Sequence, residues 1–529
     1  MKHRKPTKRK RTWTIAGIVL ALAAATGIYA ASRGTQPAVA GLAGSTASAQ
    51  ASRSAHGPQP AHSAPSTATT PGTPTTPSTK PGQLPAGVTL RQIDGGPNYF
   101  AKLSPGSAWM DQHMLLGAWE EQPLTSTEVS YDVAMGNNIY WNLAGNPLDT
   151  KDCGGAPCRV NYNVIRADGM HVAASDTTSQ TGPETVAYEG TDEADMNFGP
   201  GSEGWSPTGP YNNSSCIPSG SACGYTVAKF FDTGQPASYG SPGYPAGRKP
   251  VIQGYGKGVL FWESDAQAAA FLKYSAVASA DSYWMTDSDL DVPSQGGCSL
   301  LPASSAECGN GNGPGLTTAQ RALPANYAFN VAELEGLTGH AKPITVDVET
   351  GCPGSGGACT SPQAAVASAW QAIIAGARGI IWFQHNFSGN CVDFNTFYDG
   401  SNPSSPLYGC RQSPGVTLHD VVGAVSGFNH QVASLNTVLL APFAENYVSA
   451  GKADVSVMAK YSQGTFYVFA ASGTMASPPR NHQVVTVTVA GGYTGPVAVI
   501  GENRTLHAVH GVFTDSFANQ DSVHIYKIG

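Results

Sequence analysis

The run Pro343-Ile-Thr-Val-Asp-Val-Glu349 alternates apolar and polar side chains and ends on a carboxylate. Such alternation is typical of a β-strand. The run lies between two helical patterns, at about 317–337 and 361–377, and the same order of strand and helix recurs from about residue 110 to about residue 440. An eightfold alternation of this kind predicts parallel strands with crossover helices, closed into a (β/α)8 TIM barrel.

Eight short apolar runs supply the predicted strands, and the opening run is the seventh of them. In chain order they are Met114–Trp119, Asn138–Leu143, Gly169–Ser175, Thr185–Glu193, Pro250–Gly254, Ala280–Trp284, Pro343–Glu349 and Gly379–Gln384. The barrel domain is predicted to span residues 87–449.

The pattern changes to a period of two after residue 450, with short strand-like runs continuing to Ile528. Several short alternating strands in succession predict a small all-β sandwich over 450–529. We expect this module to stabilise the barrel rather than to bind carbohydrate, because it offers no carboxyl pair like the one described below.

The amino-terminal part of the chain predicts export. Residues 1–11 hold seven of the 29 basic side chains and no acid, and an apolar run follows at 13–31. A run of this length suits either a cleaved signal peptide within residues 1–40 or a retained membrane anchor, and both alternatives stay open. Residues 41–86, rich in Ala, Ser, Thr and Pro, predict a disordered linker. We therefore expect a secreted or extracytoplasmic protein, alternatively tethered to the plasma membrane through residues 13–31.

The composition argues against several classes of partner. Charged residues make up only 12% of the chain, and beyond residue 11 there are 22 basic against 36 acidic side chains, so the chain does not resemble a nucleic-acid binder. The sequence contains no Gly-x-Ser-x-Gly elbow, no phosphate loop and no His-Glu-x-x-His motif. We expect a monomer that needs no cofactor and holds no metal.

Ten cysteines fall into five close pairs, and an even count in an exported chain favours disulfides. Neighbour pairing is the simplest hypothesis, although sequence alone does not fix connectivity. Each pair follows a predicted strand, so all five are expected in the loops at the carboxyl face of the barrel. The pairs are Cys153/Cys158, Cys216/Cys223, Cys298/Cys308, Cys352/Cys359 and Cys391/Cys410.

Two carboxylates are predicted to share the mouth of the barrel. In strand seven Val346 and Val348 occupy one face, so Glu349 points inward at the top. In strand four the same parity argument makes Glu193 the topmost inward group. A carboxyl pair at this face suits cleavage of a glycosidic bond: one group protonates the leaving oxygen while the other attacks or activates water.

Further side chains are candidates for substrate binding. Trp382 and Gln384 share one parity of strand eight, and an inward Trp would form a platform for a sugar ring. Tyr283, at the end of predicted strand six, could hydrogen-bond a carboxylate. His385, just past strand eight, could contact hydroxyl groups. Asp192, Asp195 and Asp347 are possible substitutes for the favoured pair.

Four segments resemble exported (β/α)8 glycoside hydrolases of the broad retaining clan, in which glutamates follow strands four and seven and a β-sandwich follows the barrel. They are Thr191–Asp195, Val346–Thr350, Ala377–Phe383 and the terminal pair Ile500–Arg504 with Val523–Tyr526. The resemblance covers about residues 110–529 and is more specific for fold than for substrate.

This resemblance implies that Glu193 is the acid/base, that Glu349 is the nucleophile and that the substrate is an oligo- or polysaccharide. One position departs from the clan, which usually has Asn before the acid/base where this chain has Asp192. That residue normally helps to hold the 2-hydroxyl of the sugar. Two alternatives remain: a non-catalytic glycan-binding barrel tethered to the envelope, and a metal-assisted hydrolase.

Overall fold

The computed structural model describes residues 84–119, 125–141, 162–174, 182–190, 193–197, 249–301, 305–309, 313–353, 358–451, 454–477 and 481–529. The predicted export segment, the linker up to residue 83 and Asp192 lie outside these ranges. In the part of the chain that is described, no helix has both the length and the apolar character needed to cross a membrane.

Eight parallel strands close into a barrel, as predicted. Each strand pairs with the next, and strand eight pairs with strand one through Leu115 and Gly379. In chain order the barrel strands are Leu115–Trp119, Ile139–Trp141, His171–Ala174, Thr185–Glu189, Val251–Tyr255, Val277–Ala280, Ile344–Glu349 and Gly379–Phe383.

Two strands differ from the prediction. Strand four ends at Glu189, so Glu193 belongs to the loop that follows. Strand six is Val277–Ala280, three residues earlier than expected. The rest of the run that suggested Ala280–Trp284 is a loop. Trp284 is apolar and buried there because it packs beside the helix that precedes strand seven, where it donates its Nε1–H to Asn330 at 2.9 Å.

The longer helices lie outside the strands. They are Ser126–Ala134, Tyr162–Ala167, Asp265–Leu272, Tyr327–Thr338, Pro362–Ala375, Thr396–Ser401 and Leu418–Ser434. The first is fixed by a capping box in which Thr125 and Glu128 satisfy each other's backbone N–H groups. The helix expected over 317–337 is divided at Pro324, because proline has no N–H and disfavours helical backbone before it.

The carboxyl-terminal part is all β, as predicted, and consists of two antiparallel sheets. The larger sheet has seven strands, in the spatial order Thr89–Arg91, Phe443–Glu445, Val455–Ser462, Thr465–Ser472, Val523–Ile528, Gly495–Val499 and Arg504–Ala508. The smaller sheet contains Val448–Ser449, Gln483–Val489 and Val512–Phe517. Two segments from outside residues 450–529, at 89–91 and 443–445, therefore complete the larger sheet.

The larger sheet packs on the helices of the barrel. Trp370, on the helix before strand eight, lies with its ring 5.9 Å from that of Phe469. Gln371 on the same helix donates to the carbonyl of Ser472 at 2.8 Å. Because Trp370 and Phe469 are both buried, the sheet removes an apolar patch of the barrel from water.

Three of the predicted cysteine pairs are bonded, each to its neighbour: Cys298–Cys308, Cys352–Cys359 and Cys391–Cys410. They lie in the loops that follow strands six, seven and eight. Each disulfide thus cross-links one of three consecutive loops at the carboxyl face of the barrel, which is where barrel active sites form.

The other two predicted pairs, Cys153/Cys158 and Cys216/Cys223, are not among the described residues. In chain order Cys153 and Cys158 come after strand two, and Cys216 and Cys223 come after strand four. The bonds from Cys153 to Cys158 and from Cys216 to Cys223 are therefore neither confirmed nor contradicted, and both stay predictions.

Candidate active site at the carboxyl face of the barrel

Glu349 is the last residue of strand seven, and its side chain is completely buried. One carboxyl oxygen, Oε1, accepts a hydrogen bond from the backbone N–H of Met285 at 2.7 Å. The other, Oε2, has no hydrogen-bond partner among the described residues. Burial raises the pKa of Glu349 to about 8, against the opposing effects of backbone hydrogen bonds and the Arg321 charge.

The loop after strand six carries the N–H that binds Glu349, and Arg321 holds this loop in place. Its buried guanidinium donates to the carbonyls of Trp284 and Met285 at 2.7 and 2.9 Å. It also forms an ion pair with Asp291 at 2.8 Å. Sequence reasoning missed Arg321, because only the folded chain brings it to the loop that binds Glu349.

Glu193 follows strand four by four residues and has a left-handed backbone, with φ of 44°. Its Oε1 lies so close to Gly256 that a Cβ at that position would stand 2.5 Å away. Gly256 follows strand five directly. The Glu193 carboxyl is therefore at the carboxyl face, beside the end of strand five. A non-glycine residue with positive φ is strained, and such strain is concentrated at functional sites.

The structure makes Glu189 the carboxyl that ends strand four, because Glu193 lies in the loop beyond it. It is the last residue of the strand and is buried. Its position in strand four corresponds to that of Glu349 in strand seven, since both glutamates end their strands. The sequence analysis made Glu193 the topmost inward group instead, because the predicted strand extended as far as Glu193.

The aspartates considered as substitutes have other contacts. Asp347 is buried two residues below Glu349 and accepts a hydrogen bond from Ser279 Oγ at 2.9 Å. Asp195 is buried and accepts from the backbone N–H groups of Gly256 and Val259 at 3.2 and 2.7 Å. Burial raises the pKa of Asp195 to about 6 despite these bonds. Asp195 therefore anchors the loop after strand five.

The prediction for Trp382 was wrong. Trp382 is fully buried and turns toward the helix Leu418–Ser434, where its Nε1–H binds Asn429 Oδ1 at 3.0 Å. It is Ile381 that packs in the interior of the barrel. The strands of a barrel are buried on both faces, so the apolar residues of strand eight did not show which face of the strand meets the helices.

Gln384 supports a loop instead of pointing into the mouth. It is fully buried, its Nε2 donates to the carbonyl of Phe394 at 2.8 Å, and its Oε1 accepts from Thr396 Oγ1 at 3.0 Å. Neither Trp382 nor Gln384 therefore faces the mouth, contrary to the prediction.

The aromatic ring that lies inward at the top of strand eight is Phe383. Its ring centroid is 6.5 Å from that of Trp119, at the end of strand one, and 5.1 Å from that of Tyr283. Tyr283 lies in the loop after strand six and hydrogen-bonds the carboxyl of Asp281. His385 is buried, with its ring 5.4 Å from that of Phe383. Tyr283 and His385 thus both lie at the carboxyl face.

Among the described residues, one group of side chains has the spacing of a metal site: Asp94, Glu335 and His340, whose ligand atoms lie within 4.8 Å of one another. Glu335 and His340 lie in the connection into strand seven, at the opposite end of the barrel from Glu349. Arg91 Nη1 already donates to Asp94 at 2.6 Å. A cation in contact with the central carboxylate disfavours a metal ion at this position.

No protein-family model and no curated protein matches the chain. Several solved structures are similar to it in three dimensions. A family 51 α-L-arabinofuranosidase from Bifidobacterium longum has 9% identity and a TM-score of 0.41, and the match covers 85% of this chain and all of that one. An α-amylase from Geobacillus thermoleovorans, complexed with acarbose, has 10% identity and a TM-score of 0.36, with coverage of 80% and 99%.

A putative α-galactosidase from Bacteroides fragilis has 10% identity and a TM-score of 0.37, with 79% of each chain covered. At such low identities and TM-scores these similarities carry no argument about activity. The fold rests on the strand pairing described above, and the function rests on the side chains at the carboxyl face.

Proposed function

We propose that this protein is an exported glycoside hydrolase that cleaves glycosidic bonds of oligo- or polysaccharides with retention of configuration. The observation that carries the proposal is the buried carboxyl of Glu349 at the carboxyl end of strand seven, on the same face of the closed barrel as Glu193. Two carboxyl groups at this face are the machinery that glycoside hydrolysis requires.

Glu349 is the nucleophile in this proposal. Met285 N–H holds Oε1, which leaves Oε2 to attack the anomeric carbon. The bond from Glu349 to the sugar forms as the bond to the leaving oxygen breaks, and Glu193 gives its proton to that oxygen. A water molecule then attacks the anomeric carbon, returns a proton to Glu193 and releases Glu349.

The pKa of Glu349 sets the pH at which this chemistry runs. A carboxyl with a pKa of about 8 is mostly protonated at neutral pH. Attack requires the ionised form, so activity should rise with pH up to about 8. If Glu349 were instead the acid, activity should fall as pH rises through that value, and the limb of the pH profile therefore tests the assigned roles.

The test is a hydrolysis screen of the purified protein against a glycan panel, with the anomer of the first product determined by NMR. Glu349→Gln should abolish turnover of every substrate, since no other group forms the covalent bond. Glu193→Gln should impair substrates with poor leaving groups far more than activated aryl glycosides. Glu189→Gln is the matched variant, because Glu189 is the carboxyl that ends strand four, four residues before Glu193.

Several outcomes would contradict the assignment. Initial release of the inverted anomer would remove the covalent step. Full activity in Glu193→Gln with loss of activity in Glu189→Gln would transfer the acid to Glu189. Full activity in both Glu193→Gln and Glu349→Gln would exclude the pair and direct attention to Asp347.

One observation favours the non-catalytic alternative. The side chain of Glu349 is completely buried and its pKa is raised to about 8, as in a structural carboxylic acid. A protein that only binds glycans would hydrolyse nothing in the panel at any pH, and Glu349→Gln would bind the same saccharides as the parent.

A further inference from the structure

Phe394 is an exposed aromatic side chain in the loop that follows strand eight. Half of its surface, 50%, is accessible to water, and its neighbour Val392 is 46% exposed. Large apolar side chains that stay exposed together at the rim of a cleft commonly mark a binding surface.

The backbone around Phe394 is fixed although its ring is exposed. The buried Gln384 donates to the carbonyl of Phe394 at 2.8 Å. Asn386 and Asp393 exchange backbone hydrogen bonds of 2.8 and 3.0 Å across the base of the loop. The Cys391–Cys410 disulfide ties the loop to the chain that leads into the helix Leu418–Ser434. A ligand that binds a pre-organised ring loses little conformational entropy in the protein.

The ring of Phe394 is the outer end of a row, here called the aromatic row and made of Phe383, His385, Phe387 and Phe394. The ring of Phe387 is 5.8 Å from that of Phe383 and 5.6 Å from that of Phe394. The ring of His385 also lies between the rings of Phe383 and Phe394, 5.4 Å from each, and is 5.8 Å from that of Phe387.

The row begins beside the candidate nucleophile. The Cα of Phe383 is the register partner of the Cα of Glu349 in the strand seven and strand eight pair. From that point the rings continue onto the loop that follows strand eight. The spacing of the phenyl rings is close to the length of one pyranose unit in a chain, and their planes are inclined at 62° and 60° to one another, so successive sugar units on them would be twisted relative to each other.

The chemistry of the row selects the ligand. Phenyl rings carry no hydrogen-bonding atoms, so they recognise the apolar C–H faces of sugar rings rather than their hydroxyl groups. The three phenyl rings are uncharged, and the imidazole of His385 is buried, so the row exposes no ion-pair partner for an acidic or amino sugar.

We propose that the aromatic row is an extended subsite for neutral oligosaccharide chains, with sugar units beyond the one at Glu349 lying on Phe387 and Phe394. This inference rests on the proposed function and specifies its substrate class: chains of several neutral sugars rather than monoglycosides. Gln384 is then a positioning residue, since it holds the loop that carries Phe394.

The test uses neutral cello-, malto- and xylo-oligosaccharides from the disaccharide to the hexasaccharide. For the series that the parent cleaves, kcat/KM should increase with chain length. In Phe394→Ala the ratio of kcat/KM for the hexasaccharide to that for the disaccharide should fall by on the order of tenfold, the loss typical of one well-packed aromatic contact. Phe394→Trp should restore the ratio.

A matched control is Val484→Ala, which removes an exposed apolar side chain, 73% accessible, from the carboxyl-terminal sheets. It should leave the ratio unchanged. An unchanged ratio in Phe394→Ala would overturn the inference.

Binding separates this inference from the proposed catalysis. Calorimetry of Glu349→Gln with the hexasaccharides should show binding that Phe394→Ala weakens in the same background. If the parent hydrolyses nothing but this Phe394-dependent binding is present, the catalytic proposal fails and the subsite stands. If no hexasaccharide binds, the subsite fails, whatever the hydrolysis screen shows.

Discussion

Replacement of Glu349 by Gln should make the folded protein more stable at neutral pH. Glu349 is buried, and its pKa in the folded state is about 8 compared with an ordinary value of 4.5. The folded state therefore favours the protonated carboxyl, whereas the unfolded chain ionises above pH 4.5. This contribution to stability is fully present below pH 4.5 and is lost progressively as pH rises to about 8.

The magnitude follows from the two pKa values. Each unit of pH between 4.5 and 7 costs the folded state about 1.4 kcal/mol, which gives about 3 kcal/mol at pH 7 and almost nothing at pH 4. Glutamine does not ionise, so Glu349→Gln avoids this cost. The free-energy difference between variant and parent should therefore shift by about 3 kcal/mol in favour of the variant between pH 4 and pH 7.

Urea unfolding of both proteins at pH 4 and pH 7 measures this double difference. Glu263→Gln is the matched variant: burial raises the pKa of Glu263 to about 9, and neither of its carboxyl oxygens has a hydrogen-bond partner among the described residues. It should show a gain of the same sign while hydrolysis continues. An equal difference between Glu349→Gln and parent at both pH values would refute the reasoning, because Glu349 would then ionise as an exposed carboxyl does.

Three further predictions concern the support of the site and the fold. Arg321→Met should lower kcat and move the rising limb of the pH profile to higher pH, because the Arg321 charge opposes the rise in the pKa of Glu349. A lower kcat with an unmoved limb would mean that Arg321 only holds the loop. Phe469→Ala should lower the free energy of unfolding by about 3–5 kcal/mol in urea titrations, since it opens a cavity against the barrel helices. A loss below about 1 kcal/mol would mean that the sheet does not stabilise the barrel. Mass mapping of the non-reduced protein should recover the peptide pair joined by Cys391–Cys410, and free thiols at both positions would contradict the pairing. The same map tests the two pairs outside the described residues. A peptide that joins Cys158 to a cysteine other than Cys153, or Cys223 to a cysteine other than Cys216, would contradict neighbour pairing there.

The sequence was sufficient for the architecture of the described part of the chain. The eightfold alternation predicted the closed barrel, and the period of two after residue 450 predicted the all-β module. Six of the eight strands lie where the apolar runs placed them; strand four ends four residues early, at Glu189, and strand six was displaced because the buried Trp284 extended its apolar run. These features depend on local periodicity and on chain order, both of which a sequence displays.

The sequence by itself determined that Glu349 ends a barrel strand, because the alternation before it is regular. The tertiary structure decided which side chains face the mouth. Parallel barrel strands are buried on both faces, so polarity does not distinguish inside from outside, and closure of the barrel placed Phe383 inward while Trp382 packs on a helix. Arg321 reaches the site from the short helix Thr318–Arg321, 36 residues beyond Met285, and the Glu193 carboxyl lies against Gly256. Contacts between segments distant in sequence arise only when the chain closes on itself, and no local pattern of residues records them.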